Sequence, residues 1–94
     1  MLHKFLVHNR GDHVGVAVEA IEAGQEVYGI ILADDSQTET IRAKGNVPLS
    51  HKIALMDLPA GEPVIEYGLP VGVLKEAVAA GDYVHTHNMK TARW

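Results

Sequence analysis

The feature that most limits how this chain can fold is a five-residue pattern that occurs three times. Ala23–Val27, Ala60–Val64 and Ala80–Val84 each read Ala-Gly, then an acid or amide, then a variable residue, then Val. The glycine favours a turn and the valine begins an apolar strand. The copies start 37 and then 20 residues apart, so they are not the regular repeat of a solenoid. A recurring way of entering strands is typical of a compact domain with many short strands.

The remaining apolar segments complete this picture of short strands. They predict strands at Phe5–His8, Val14–Val18, Val27–Leu32 and His51–Met56, and an exposed loop or hairpin over the polar segment 34–46. Pro59, Pro63 and Pro70 exclude a long helix in the middle of the chain. Residues 73–80 are the best helical window, about two turns ended by Gly81. We therefore expect one domain spanning residues 1–94, mainly β with one short helix.

Composition excludes several classes of protein. The 94 residues carry a net charge of −4 with no cluster of Lys and Arg, which argues against a nucleic-acid surface. The apolar run near the N-terminus is too short for a signal peptide or membrane span, so a soluble cytoplasmic protein is expected. Cysteine is absent, so a metal ion would be held by His, Asp, Glu or carbonyl oxygens. The five aromatic residues make a small core that a partner subunit could complete.

The segment Asp82–Asn88 contains the densest group of chemically active side chains. If it is extended, His85 and His87 lie on one face and Thr86 and Asn88 on the other. Two imidazoles on one face can share a metal ion or bind one anionic group. The alternative is a polar strand end with solvated histidines, because His-x-His alone is a weak metal signal. A second pair, His8 and His13, is placed to meet across the mouth of a hairpin.

Two further segments are candidates for binding. His51-Lys52 places a proton-transfer group and a cation at the start of a strand, although His51 as a strand cap with a solvated Lys52 would look the same. Glu66–Gly72 has glycines on both sides of Pro70, which let the backbone approach a ligand or simply form a turn. No phosphate-binding loop, dinucleotide fingerprint or Ser-His-Asp order is present, so nucleophilic catalysis is unsupported.

Taken together, these motifs resemble one family. Ser50–Leu55, Ala60–Gly72 and Ala80–Asn88, with the early segment His8–Ala17, are similar in content and order to the N-terminal SAF-type domain of the altronate/galactarate dehydratases. The family pattern there is Gly-His-Lys-Ile-Ala, Lys-Tyr-Gly-x-x-Ile-Gly and Gly-x-x-Val-His-Thr-His-Asn. This chain departs from it at three positions, with Ser50 in place of glycine, His13 where asparagine is common, and Glu66 in place of lysine.

The resemblance implies a β-clip fold and a part in eliminating water from a sugar acid or related hydroxy acid to give a 2-keto-3-deoxy acid. It implies a small subunit that is inactive without a large catalytic subunit, and divalent iron as the metal. In these terms His51, Lys52, His85 and His87 are the candidate catalytic residues, with His85 and His87 as metal ligands. The candidate substrate-binding residues are Tyr67, Gly68, Thr86 and Asn88.

Other functions stay open at this point. The related small subunit of sulfolactate sulfo-lyase has the same design and eliminates sulfite instead of water. SAF-like domains also serve as non-catalytic modules that bind a sugar acid or a partner. A homodimeric structural protein with exposed histidines is the third alternative. Activity that depends on a large partner chain would distinguish the two small-subunit functions, dehydratase and sulfo-lyase, from the binding module and the structural protein.

Overall fold

A computed structural model describes residues 2–91 of the chain, and it is built from short β-strands. The strands are β1 (Phe5–Val7), β2 (Val14–Ala17), β3 (Glu26–Val27), β4 (Gly29–Ile31), β5 (Ser36–Gln37), β6 (Ile41–Arg42), β7 (Lys52–Ala54), β8 (Pro63–Glu66), β9 (Leu69–Leu74), β10 (Tyr83–Val84) and β11 (Met89–Thr91). The mainly β class expected from the sequence is confirmed, and it is consistent with a β-clip. Trp94, counted above among the aromatics, lies outside the described residues.

The strands form three sheets. The largest has the order β10-β7-β2-β1-β4-β5, and the others are β11-β9-β8 and the pair β3-β6. Pairing is antiparallel except between β1 and β4, which run parallel with Phe5 opposite Gly29. Gly29 is required there, because a Cβ at this position would lie 2.3 Å from the ring of Phe5. The segment predicted as one strand over 27–32 is therefore split, and β3 and β4 belong to different sheets.

Two clusters of buried apolar side chains make up the core. The first centres on Phe5, Ile21 and Ile53, and the second on Val64, Leu74 and Val84. Strands β2 and β7 contribute to both clusters, since Ala17 and Ile53 lie in the first while Val14 and Ala54 lie in the second. The largest sheet thereby connects the two core clusters.

The helix predicted over residues 73–80 is wrong. Residues 2–91 contain no helix; Val73 and Leu74 belong to β9, and Val78 forms an isolated bridge with Leu58. No helix in this part of the chain is long and apolar enough to cross a membrane. Leu74 and Val78 are buried as their helical spacing requires, but a strand and a bridge bury them instead. Pairing with β11 and with Leu58 overrides the local preference of the window.

The glycine turns predicted from the repeated pattern are confirmed. Gly24, Gly61 and Gly81 have φ values of 90°, 85° and 95°, and each precedes a strand by two residues, namely β3, β8 and β10. These are backbone conformations that residues with a Cβ rarely adopt. The third turn, followed by β10, leads directly into the histidine segment.

Candidate functional site

The strand pair β7 and β10 positions the candidate site. Tyr83 lies opposite Ile53 and Val84 opposite Lys52 in an antiparallel ladder. Because the strands run in opposite directions, His51 just before β7 lies beside the end of β10. This register brings together two segments that are more than 30 positions apart in the sequence.

Around this register four ring side chains form what we call the imidazole–phenol cluster: His51, Tyr83, His85 and His87. The Tyr83 hydroxyl is hydrogen-bonded to His51 Nδ1 at 2.5 Å. The ring centroid of Tyr83 lies 5.6 Å from that of His85 and 5.3 Å from that of His87, and the His51 and His85 centroids lie 4.7 Å apart. The structure therefore brings together three of the four predicted catalytic residues around a tyrosine that the sequence analysis did not select.

The extended conformation considered for Asp82–Asn88 is present only at Tyr83–Val84. β10 ends at Val84, and residues 85–88 form a tight turn in which the backbone N–H groups of Asn88 and Met89 donate to His85 O at 3.0 and 2.9 Å. His85 and His87 are grouped by this turn and by their packing on Tyr83, not by strand alternation. Both imidazoles are exposed.

Asn88 stabilises this turn with its side chain. Its Oδ1 accepts a hydrogen bond from the His85 backbone N–H, and its Nδ2 donates to Tyr83 O, at 2.9 and 2.8 Å. Asn88 is also buried. This geometry gives Asn88 a structural part in the site, whereas its contact with substrate stays a prediction. Thr86 is exposed, and its carbonyl accepts a hydrogen bond from Lys75 Nζ at 2.7 Å.

Lys52, the fourth predicted catalytic residue, is held by an ion pair. Its Nζ lies 3.6 Å from Glu66 Oε1, and the Glu66 side chain is only 7% exposed. A carboxylate buried to that extent needs a nearby cation to be stable in its charged form. Glu66, the acid that stands where the family pattern has lysine, is therefore the partner of Lys52 and offsets its charge.

The predicted binding residues Tyr67 and Gly68 lie in the two-residue turn between β8 and β9, apart from the imidazole–phenol cluster. Their φ values are 60° and 72°, as the primed hairpin turns require. The carboxylate of Asp12, which is buried, accepts hydrogen bonds from both of their backbone N–H groups and from that of Asn9. Sequence reasoning missed Asp12, whose only signal is its position inside a glycine turn.

His8 and His13 contact the same hairpin. The ring of His8 stacks on Tyr67 with centroids 3.4 Å apart, and His13 Nδ1 accepts a hydrogen bond from the Ile65 backbone N–H at 3.0 Å. The expected meeting of these two histidines is not found in residues 2–91. Their contacts instead attach the β8–β9 hairpin to the first strands of the chain.

The described residues offer only part of a metal site. No three His, Asp or Glu side chains within 2–91 are arranged to hold a metal ion together. Imidazole nitrogen suits a divalent transition metal, but three or four ligands are usual. The imidazoles of His85 and His87 are ligands of this type, and any further donors would have to come from outside the described residues.

Comparison with known proteins places these features in context. Residues 3–92 match the family model described as the altronate/galactarate dehydratase SAF domain. The chain is 41% identical over 91 residues to the (2R)-sulfolactate sulfo-lyase subunit alpha of Chromohalobacter salexigens, covering 96% of both chains. It is 39% identical over 64 residues to the subunit of the same name from Paracoccus pantotrophus, covering 68% of this chain and 96% of that one.

A longer relative matches over one part only. The altronate dehydratase of Escherichia coli is 42% identical over 80 residues, which is 85% of this chain and 15% of that protein. The same domain is thus similar both to a separate small subunit and to one segment of a larger enzyme.

Proposed function

The chain belongs to the altronate/galactarate dehydratase SAF-domain family, and from that premise we propose that it is the small subunit of a two-chain hydroxy-acid lyase. A large subunit would carry most of the active site, and this chain would contribute the imidazole–phenol cluster. The observation that supports the proposal is the exposure of His85 and His87 beside His51, which lets a second chain and a substrate reach them.

The proposed reaction removes a proton from C2 of a 2,3-dihydroxy acid and hydroxide from C3. The resulting enol tautomerises to the 2-keto-3-deoxy acid, as in dehydration of altronate or galactarate. The step needs a base for the carbon-bound proton and an acid for the leaving oxygen. His51 suits a proton-transfer role, because the Tyr83 hydroxyl occupies Nδ1 and leaves Nε2 to accept or donate a proton.

A divalent metal, Fe²⁺ in this proposal, would be held by His85 and His87 together with donors from the large subunit. When bound, such an ion polarises the leaving oxygen as a Lewis acid. The other contributions of this chain do not depend on it. Asn88 and Tyr83 hold the histidines in place, and Glu66 holds Lys52 at the start of β7.

The test is purification of this chain from its host under anaerobic conditions, followed by mass identification of the proteins that accompany it. We expect a large dehydratase-like chain, and the assembled enzyme should convert a 2,3-dihydroxy acid into a 2-keto-3-deoxy acid. Recovery of this chain alone after crosslinking would contradict the proposal and favour a binding module.

A sulfo-lyase subunit is the second candidate, because a relative that this chain matches over 96% of both chains carries that name. In that case the leaving group at C3 is sulfite and the product is a 2-keto acid without the sulfonate. Release of sulfite from sulfolactate by the assembled enzyme, with no keto acid from sugar acids, would establish this candidate in place of the first.

A further inference from the structure

A polar cleft lies next to the imidazole–phenol cluster. It has a volume of about 330 Å³ and lies between residues 44–46 and the segment that carries His87. Its lining includes Lys44, Asn46, Glu76, Tyr83 and His87. Tyr83 and His87 therefore belong both to the cluster and to the wall of this cleft.

The position of Lys44 in this cleft is set by the backbone. The Lys44 N–H donates to Gly81 O at 2.9 Å, and the neighbouring Ala43 is buried in the first core cluster. Gly81 makes this contact possible, because a Cβ at that position would lie 2.0 Å from Arg42 O. Ala43 and Lys44, near the end of the segment predicted as an exposed loop or hairpin, are therefore packed against the turn that leads into β10.

Lys44 differs from the other lysines near the candidate site in having no partner for its charge. Within residues 2–91, Lys52 is paired with Glu66 and Lys75 donates to the carbonyl of Thr86, whereas the side chain of Lys44 makes no ion pair or hydrogen bond. A lysine side chain acts as a mobile point charge that binds carboxylates. Lys44 is thus the cation beside the cluster that remains available to a ligand.

The cleft is also lined by two acids, Asp82 and Glu76, which differ in whether the carboxylate already accepts a hydrogen bond. Asp82 Oδ2 accepts a hydrogen bond from the Ala79 backbone N–H at 2.7 Å, while Glu76 is exposed. With one cation, Lys44, and two acids, Glu76 and Asp82, in its lining, the cleft suits a ligand with a single anionic group and several hydroxyl groups. Hydroxyls can donate to Glu76, but a second anionic group would meet its negative charge.

We propose that Lys44 binds the carboxylate of a monoanionic polyhydroxy acid in this cleft, next to His87. The inference deepens the proposed function, on which its biological meaning rests, by naming a residue that would bind the substrate carboxylate. It adds a substrate-binding cation, Lys44, which carries no signal in the sequence motifs. It also favours a monoacid such as altronate over galactarate and sulfolactate, since each of these two carries two anionic groups.

The test is an amide NMR titration of the chain with three ligands of one carbon skeleton. D-Glucitol is neutral, D-gluconate carries one carboxylate and D-glucarate carries two. We expect gluconate to shift the amide signals of residues 44–46 and 85–88, glucarate to bind more weakly and glucitol not to bind. No localised shift with gluconate at tens of millimolar, or tighter binding of glucarate, would overturn the inference.

Two variants make the test specific to Lys44. Lys44→Gln should weaken gluconate binding about ten-fold or more, as loss of a charge-assisted contact does. Lys90→Gln removes another exposed lysine, which lies outside the cleft, and should leave the affinity unchanged. Equal affinity of Lys44→Gln and the wild-type chain rejects the role of Lys44, provided both give the same folded spectrum.

This outcome can be separated from failure of the proposed function. If the purified chain has no large partner but binds gluconate through Lys44, the lyase proposal fails and the cleft assignment stands. If the assembled enzyme eliminates water with the same KM in wild-type and Lys44→Gln forms, only the cleft assignment fails.

Discussion

The side chain of Asp12 stabilises the turn between β8 and β9 through several backbone hydrogen bonds. Its Oδ2 accepts from the N–H groups of Asn9 and Tyr67 and its Oδ1 from that of Gly68, in a site that is 2% exposed. In Asp12→Asn, either orientation of the amide places an NH₂ group against a backbone donor. We expect a loss of about 1–3 kcal/mol in the free energy of unfolding, measured in urea.

Asp35→Asn is the matched control for this change. Asp35 also has a positive φ, of 59°, but is exposed, and Asn tolerates that backbone conformation as well as Asp does. Its unfolding free energy should change by less than about 0.5 kcal/mol. Similar losses in the two variants would show that removal of charge, not loss of acceptors, is responsible.

Asp34 gives a prediction about pH. Hydrogen bonds from the side chain and backbone of Ser36, and then from Arg10, lower the pKa of Asp34 to about 2 from 3.8. Because the folded pKa is lowered, the contribution of ionised Asp34 is complete above about pH 4 and is lost as the pH falls through 2. Ser36→Ala should therefore raise the pKa of Asp34 towards 3.8.

NMR titration of the Asp34 carboxyl carbon measures this shift directly. Arg10→Gln should raise the same pKa as well, since the hydrogen bond and the charge of Arg10 also lower it. A pKa of Asp34 that stays near 2 in Ser36→Ala would contradict the assignment of the Ser36 side chain as the largest cause.

Among the elements, the three glycine turns are alike in backbone and differ in their surroundings. A Cβ at Gly24 or Gly61 would meet nothing within 4 Å, whereas at Gly81 it would lie 2.0 Å from Arg42 O. Gly24→Ala should therefore lose only the cost of a positive φ, about 1–2 kcal/mol. Gly81→Ala should lose at least about 3 kcal/mol, because backbone must move as well.

Urea unfolding of the two glycine variants tests this difference, with Gly24→Ala as the control for backbone strain. Equal losses of unfolding free energy in the two variants would mean that the backbone around Arg42 can move away with little loss of stability. The close approach at Gly81 would then not determine where Lys44 lies.

The sequence predicts a turn or strand correctly where the residue itself determines the backbone conformation. It fails where pairing with a distant segment determines it. The turns at Gly24, Gly61 and Gly81 were read correctly because a positive φ is a property of the residue itself. The window 73–80 has good helix formers but covers only about two turns, too short to be stable alone. Pairing of Leu74 with Met89 and of Val78 with Leu58 therefore decides its structure.

The same distinction explains what was missed in the candidate site. His51, His85 and His87 were selected from motifs, and the structure brings them together. Tyr83, Lys44 and Asp12 were not selected, because their importance comes from contacts across 32, 37 and 55 positions of sequence. Composition and spacing carry no information about such contacts.

At the scale of the whole molecule, His87→Ala tests whether the cluster works in an assembled enzyme. His87 is exposed and packs on one side of Tyr83, so its removal should leave the unfolding free energy within about 0.5 kcal/mol. Activity of the assembled enzyme should be abolished, which is measured by release of the keto acid.

His3→Ala is the control for this variant, because His3 lies outside the cluster near the start of the chain. It should retain the activity of the wild-type assembly. Full activity in His87→Ala would remove His87 from the proposed site, and loss of both activity and the folded spectrum would assign it a structural role instead.

The pairing of β7 with β10 also has a consequence for synthesis of the chain. The candidate site combines residues 44–52 with residues 83–88, so none of its ring contacts can form before Tyr83 has been synthesised. The N-terminal strands β1, β2 and β4 can pair well before that point. A partner that recognises the imidazole–phenol cluster must therefore bind after residues 44–88 have been synthesised and have folded together.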